Sequence, residues 1–477
     1  MNVLFAASEA VPLVKSGGLA DVIGSLPQAL QASGVDVRVI LPKYEDIPER
    51  YKAAMETIAT LTVRMGWREQ YCGIQRLAVD GVVFYFIDNE YYFKRRGLYG
   101  YGDEAERFVF FSFAVLAALP HLGFAPDIIH CHDWQTGLIP FMLKKQLAGT
   151  EFYAPLKTVF TIHNLKYAGH FPREVLKDLL SIGDEPFTYD GIGFYDGGSC
   201  LKAGLMYADW LTTVSETYAR EIQTPEYGEQ LDGVLRWRGD RLTGIVNGID
   251  TDAFDPMTDP HIPSHYRDSL AKKRQNKAGL QRRLGLAERE EPALIGVVSR
   301  LVQQKGFDLI EAVFPDIMRL DVQLVVLGTG EARYEQLFRD AAWRYPQRVS
   351  AQLTFDDALA RHIYAASDLF LMPSLFEPCG LGQLIALRYR SIPIVRETGG
   401  LKDTVEPFNE YTGEGRGFSF THYDAGDMLY TIRRAVAMYG DGTTWPRLMA
   451  NLRGADFSWN RAAKQYAAVY RQTLDAE

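Results

Sequence analysis

The chain has 477 residues, 47% hydrophobic and 23% charged, with 51 basic against 60 acidic residues and a net charge of −9. That length exceeds what one compact core organises and predicts two domains of ordinary globular composition. The acidic balance excludes a general nucleic-acid binder, which carries a basic face, while leaving room for a local cationic pocket.

In chain order, the first expected element is a strand over residues 3–7. A long turn then leads to Gly17-Gly18, and Leu19, Val22, Ile23, Leu26 and Leu30 recur at helical spacing. Gly34 ends that helix and residues 35–41 form the next strand. This βαβ unit predicts a parallel sheet of Rossmann character. Later strands over 127–130, 158–162 and 211–214 run into Cys131-His132-Asp133-Trp134, His163-Asn164 and a capping Ser215. A second α/β series follows Asn247-Gly248-Ile249-Asp250 and a Pro- and charge-rich stretch. It has strands over 293–298, 322–327, 368–372 and 392–395, with helices over 307–314, over 358–366 and from near Gly380. We therefore expect an N-terminal domain over 1–243, a C-terminal domain over 244–457, and a final amphipathic helix within 458–477 that returns to the first domain. No fixed-period repeat is present.

The four cysteines (Cys72, Cys131, Cys200, Cys379) are scattered without a CxxC pair, so no disulfide framework is expected. The opening MNVLFAASEAVPLVKSGG lacks the basic region of a signal peptide. No window holds the ~18 apolar residues of a membrane helix. These features predict a cytoplasmic protein without membrane or nucleic-acid partners.

Four places carry candidate chemistry. In Lys15-Ser16-Gly17-Gly18, between a first strand and a first helix, glycines let backbone N–H groups approach a phosphate while Lys15 adds charge; the competing reading is a flexible loop. Arg300 and Lys305, past the second domain's first strand, are spaced to flank a diphosphate, the one as a planar fork and the other as a movable ammonium. Glu377 stands where a strand gives way to a helix, and Thr398-Gly399-Gly400 forms a second such edge with bare backbone N–H groups. Together these two turns suit a sugar joined to a phosphate.

His130, His132 and His163 invite a zinc reading. We expect the first two to point to opposite sides of their strand, and so assign no metal. Asp356-Asp357 reads as a helix N-cap rather than a metal pair. Cys379 reads as a small buried residue rather than a nucleophile. The aromatics Tyr91, Tyr92, Phe93, Tyr99 and Tyr101 either stack on sugars or form an ordinary cluster.

Nine ordered segments carry a family resemblance: LVKSGGLADVIGSLP, HCHDWQTGL, FTIHNLKYAG, LKAGLMYAD, IVNGID, VSRLVQQKGFDL, PSLFEPCGLGQ, RETGGLKDTV and DFSW. Over nearly the whole chain this resembles the bacterial glycogen synthases and plant starch synthases. The resemblance implies two Rossmann-like domains facing a cleft, the GT-B architecture. It also implies retaining transfer of glucose from ADP-glucose to the non-reducing end of an α-1,4-glucan, with no cofactor or metal. By position, Lys15, Gly17, Gly18 and Asp21 would contact the sugar nucleotide, and Arg300 and Lys305 would hold the diphosphate. Glu377 would bind sugar hydroxyls. Gly380, Leu381, Gly399 and Gly400 would offer backbone donors, with Thr398, Cys379 and Gln383 beside them. Asp133, His163 and Asn247 would line the sugar and acceptor side, and Phe355 would pack on the nucleotide base. Phe lacks the hydroxyl expected there, so UDP-glucose stays open as donor.

Double displacement would need a carboxylate behind the anomeric carbon. The resemblance gives Glu377 a binding role, so same-face attack is the expected route, with the departing diphosphate oxygen taking the acceptor's proton. The rivals are a related two-domain glycosyltransferase with UDP-glucose or a small acceptor, a Rossmann oxidoreductase, and a non-catalytic glucan binder. The oxidoreductase requires GxGxxG where this chain has SGGLADV. Oligomeric state cannot be read from these residues.

Overall fold

The computed structural model describes residues 1–476. It divides into two compact units, Met1–Asn247 with the C-terminal segment from Trp459, and Gly248–Ser458. The first unit contains β1 (Asn2–Ala6), β2 (Asp36–Pro42), β3 (Glu56–Met65), β4 (Arg68–Val79), β5 (Val82–Asp88), β6 (Ile128–His132) and β7 (Lys157–Ile162). The short strands β8 (His170–Pro172), β9 (Gly193–Phe194) and β10 (Gly197–Ser199) form a separate sheet before β11 (Trp210–Thr213) and β12 (Leu242–Gly244). The main sheet runs β12-β11-β7-β6-β1-β2-β5-β4-β3. From β12 to β5 it is parallel, and its central strands β1 and β6 are buried, as strands covered on both faces are. β5, β4 and β3 form an antiparallel meander at the edge.

That meander was not anticipated. Its β3 is largely solvated, so it lacks an apolar run. One signal was available: Asp80-Gly81, both at positive φ (49° and 82°), is a two-residue hairpin turn between apolar alternations.

The helix Gly18–Ala32 buries Leu19, Val22, Ile23, Leu26 and Leu30, the face expected from their spacing. The last helix, Asn460–Asp475, packs on that helix and on β7 through a face that includes Ala463, Tyr466, Ala467 and Tyr470. Tyr91 to Tyr101 form no open platform: Tyr92 and Phe93 are fully buried, and Phe93 and Tyr101 flank the buried Arg107 guanidinium.

The second unit holds β13 (Ala293–Val298), β14 (Val322–Leu327), β15 (Val349–Gln352), β16 (Leu369–Met372), β17 (Ile392–Arg396) and β18 (Phe418–Phe420). All pairings are parallel, in the order β15-β14-β13-β16-β17-β18. Strand order reverses between β13 and β16, and in the first unit between β1 and β6. Open α/β sheets bind ligands outside the carboxyl ends of strands at such reversals. Asp356 caps the helix Asp357–Ala366, accepting from Leu359 N at 2.9 Å. Among the described residues, no helix is long and apolar enough to cross a membrane.

Candidate active site

In the second unit, the chain leaves β13 through Ser299 and Arg300 into a 3-10 turn, Gln303–Lys305. It leaves the neighbouring β16 through Ser374 to Glu377. Lys305 Nζ lies 2.6 Å from Glu377 Oε2, with side-chain exposures of only 15% and 8%. Ser374 Oγ donates to the same oxygen at 3.1 Å. Glu377 is therefore anchored through one oxygen and offers the other. A pair this buried costs desolvation, which a close ammonium and a hydroxyl offset. Arg300 is exposed and makes no ion pair among the described residues.

The Glu377 loop is held from several sides. Leu375 N donates to Gln304 O at 2.9 Å, Gln304 Nε2 donates to Phe376 O at 3.3 Å, and Arg396 Nη1 donates to Leu375 O at 2.5 Å. Thr398-Gly399-Gly400 supports the loop from below, and here the structure corrects the expectation of bare donors. Gly400 N–H is taken by the carbonyls of Glu377 and Pro378, each at 3.1 Å. The glycines serve close approach: a Cβ on Gly399 (φ 46°) would stand 1.9 Å from Glu377 O, and one on Gly400 2.1 Å from Cys379 O. The open N–H groups are those of Gly380 and Leu381, ahead of the helix Gly382–Arg388, which starts two residues later than expected. Gln383 lies behind them, donating to Cys379 O at 3.0 Å and Gly380 O at 2.9 Å, while Cys379 is buried. Phe355 stands apart, 85% exposed, on the loop after the edge strand β15.

In the first unit, the loop after β1 is organised by Glu9, a residue the sequence reading missed. Its buried carboxylate accepts from Ser16 N, from Ser16 Oγ at 3.2 Å and from Gly17 N at 3.2 Å. The N–H groups of Ser16 and Gly17 expected to approach a phosphate are thus satisfied by the chain's own acid. An acid seven positions before Ser16, on the same strand-to-helix loop, was the available signal. Lys15 Nζ sits 2.8 Å from Asp21 Oδ1, both partly exposed.

β6 and β7 bring Asp133 and His163 together. Asp133 takes a left-handed φ of 58°, rare outside glycine. Its Oδ1 accepts from His163 N at 2.8 Å, with Asn164 N at 3.5 Å. Burial pushes the Asp133 carboxyl up to about 7, against the pull of those N–H groups, and the Glu9 charge adds to the rise. Burial likewise raises Glu9, partly offset by Ser16 and Gly17, and pushes the His163 imidazole down to about 3. Asn247 follows β12, three strands from β6; it is buried, and its Oδ1 has no partner.

The expectation that His130 and His132 point to opposite sides is wrong. Residues two apart in a strand share a face, and these rings lie 4.1 Å apart by centroid. His132 Nδ1 is 3.0 Å from His163 Nε2. Both His130 nitrogens are engaged, Nδ1 with Tyr470 Oη at 2.8 Å and Nε2 with Thr161 Oγ1 at 2.6 Å. No group of three or more His, Cys, Asp or Glu side chains suited to a metal ion occurs among the described residues.

Residues 2–237 match the model of the starch synthase catalytic domain, and residues 282–440 that of glycosyl transferases group 1. A glycogen synthase of Desulforamulus reducens is 56% identical, covering 99% of each chain, and one of Geobacillus stearothermophilus is 53% identical, covering 100% of this chain and 99% of its own. The catalytic domain of starch synthase IV from Arabidopsis thaliana, solved bound to ADP and acarbose, superposes with a TM-score of 0.92 at 34% identity over 99% of each chain. A sucrose-phosphate synthase from Thermosynechococcus elongatus, 18% identical with a TM-score of 0.63 over all of both chains, shares the fold. The architecture is that of the GT-B glycosyltransferases. With two switch-point clusters and relatives matched end to end, the chain belongs to the glycogen and starch synthase family, the glucosyltransferases of glycogen synthesis.

Proposed function

We propose that the chain transfers glucose from ADP-glucose to the non-reducing end of an α-1,4-glucan, with retention of anomeric configuration and without a metal ion. The observation that carries this reading is the buried Lys305–Glu377 pair beside the exposed, unpaired Arg300 at the β13/β16 switch point. Arg300 and Lys305 stabilise the charge that develops on the departing diphosphate, the task a metal otherwise performs. Glu377, through its open oxygen, and the N–H groups of Gly380 and Leu381 hold the donor sugar and phosphate, with Cys379, Gln383, Thr398, Gly399 and Gly400 shaping the turns. Phe355 offers an open ring to the base. In the first unit, Lys15, Gly17, Gly18 and Asp21 contact the sugar nucleotide, while Asp133, His163 and Asn247 line the sugar and acceptor side.

Glu377 is a holder rather than a nucleophile in this scheme. One of its oxygens is committed to Lys305 and Ser374, a restraint that suits orientation of a hydroxyl better than attack on carbon. The acceptor hydroxyl then attacks from the leaving-group face, and its proton passes to the departing diphosphate oxygen. Four buried cysteines that form no disulfide fit a cytoplasmic location.

The test is a matrix of labelled ADP-glucose and UDP-glucose against glycogen, maltooligosaccharide and no acceptor, with and without EDTA. We expect glucan elongation with ADP-glucose, unaffected by EDTA and giving α-linkages by proton NMR. Preference for UDP-glucose or a monosaccharide acceptor would instead support the related two-domain transferases, and a β-linked product or a glucosyl adduct on Glu377 would overturn the mechanism.

A further inference from the structure

We infer that His132 fixes the tautomer of His163, so that His163 presents a protonated Nδ1, a hydrogen-bond donor, on its open side. The inference rests on the reading of His163 as a site residue and adds what that residue can do there. His132 Nδ1 and His163 Nε2 are 3.0 Å apart, a distance that requires one proton between the two nitrogens. A neutral imidazole carries one N–H, and burial keeps both rings neutral. Two arrangements remain.

If His163 Nε2 carried the proton, His132 would hold its own on Nε2. That atom is buried and has no hydrogen-bond partner. The result would be an orphaned buried N–H, which folded proteins rarely contain. If instead His132 Nδ1 carries the proton, its Nε2 is a bare lone pair and no buried N–H is left without an acceptor. His163 Nε2 then accepts, and the His163 proton must sit on Nδ1.

Neighbouring rings hold His132 in place. His130 lies 4.1 Å away and the Phe5 ring 4.9 Å away by centroid. With both nitrogens engaged by Tyr470 and Thr161, His130 has nothing to offer the His132 Nε2. His163 is buried against His132 without being fully enclosed, and its Nδ1 makes no hydrogen bond among the described residues. A ligand atom facing it must therefore be a hydrogen-bond acceptor. His163 cannot serve as a base at Nδ1, so the acceptor's proton has to leave by another path. His132 is a positioning residue, acting through His163.

The test is long-range proton–nitrogen correlation on the full chain labelled with 15N-histidine, with His163→Gln and His132→Leu supplying assignments. We expect His163 to show a protonated Nδ1 and a bare Nε2, and His132 a protonated Nδ1. In His132→Leu the His163 signals should move to a tautomer average, with kcat down about tenfold and donor KM changed less than about threefold. His132→Asn, whose amide N–H reaches the place of Nδ1, should recover kcat to within about threefold of the parent. A protonated His163 Nε2 in the parent would overturn the inference, and so would an Asn variant no better than Leu. Full activity in His163→Ala would remove His163 from the site while leaving the tautomer result standing.

Discussion

At the end of β16 an acid has an ammonium 2.6 Å away. At the end of β6 an acid in a comparable position has no cation beside it, and burial pushes it up to about 7. Both sit at the switch point of a parallel sheet, so topology alone does not decide the charge of a group at a strand end. The second unit pairs its acid with a cation, while Arg300 makes no ion pair among the described residues. The first unit sheds charge: its three clustered histidines are neutral by burial, and its two acids are raised. On the proposed function, one cluster would steady an anion and the other would place uncharged hydrogen bonds around a sugar.

The largest test of this contrast is Lys305→Met. We expect kcat to fall at least about a thousandfold, from lost stabilisation of the diphosphate. Leaving Glu377 buried and unpaired should also cost about 3 kcal/mol in urea denaturation. The double variant Lys305→Met/Glu377→Gln should regain most of that stability and none of the activity; an active double variant would break the comparison.

Arg300→Ala comes next. ADP affinity by calorimetry should fall about tenfold to a hundredfold, as for loss of a charge-assisted fork. The melting temperature should not move, because this side chain is exposed and supports nothing. Unchanged ADP affinity would end the claim that the second unit keeps a free cation for its ligand.

Asp133→Asn sharpens the other half. The Asp133 carboxyl is raised when folded, so between about pH 4 and 7 the native state holds a proton that the unfolded state has lost. Its contribution to stability is fully present below the unfolded value near pH 4 and is lost as pH rises to 7. The Asn variant should flatten that part of the stability curve, by at most a few kcal/mol, as read from urea midpoints at each pH. An unaltered slope would show that the parent acid is not raised. The smallest effect belongs to Phe355→Ala, for which we expect only a few-fold rise in donor KM from about 1 kcal/mol of lost stacking.

Much of the second unit was legible because several of its strands are short apolar runs; the ranges 293–298 and 322–327 coincide with β13 and β14. The antiparallel edge was not, since β3 is largely solvated and carries no apolar run. At the site, residue types announced themselves but their partners did not. An acid seven positions before Ser16 was the one hint that Glu9 fills the Ser16-Gly17 turn, and nothing local says that the Gly400 N–H closes on the Glu377 carbonyl. Both are contacts between a loop and its own neighbour, set by how two turns stack after the sheet forms. The histidine error had a simpler cause, a strand period applied with the wrong phase.

The hydroxyl that engages His130 belongs to Tyr470, 340 positions later in the chain. A ribosome therefore releases the first unit's sheet, then the entire second unit, and only afterwards the helix that closes over His130. Until that helix emerges, the histidine cluster lacks one wall and is open to water, which would let its imidazoles take up protons. Competence for sugar chemistry is in this sense tied to the helix Asn460–Asp475: a nascent polypeptide stalled between Gly400 and that helix carries every proposed site residue and cannot yet hold His163 in its working form.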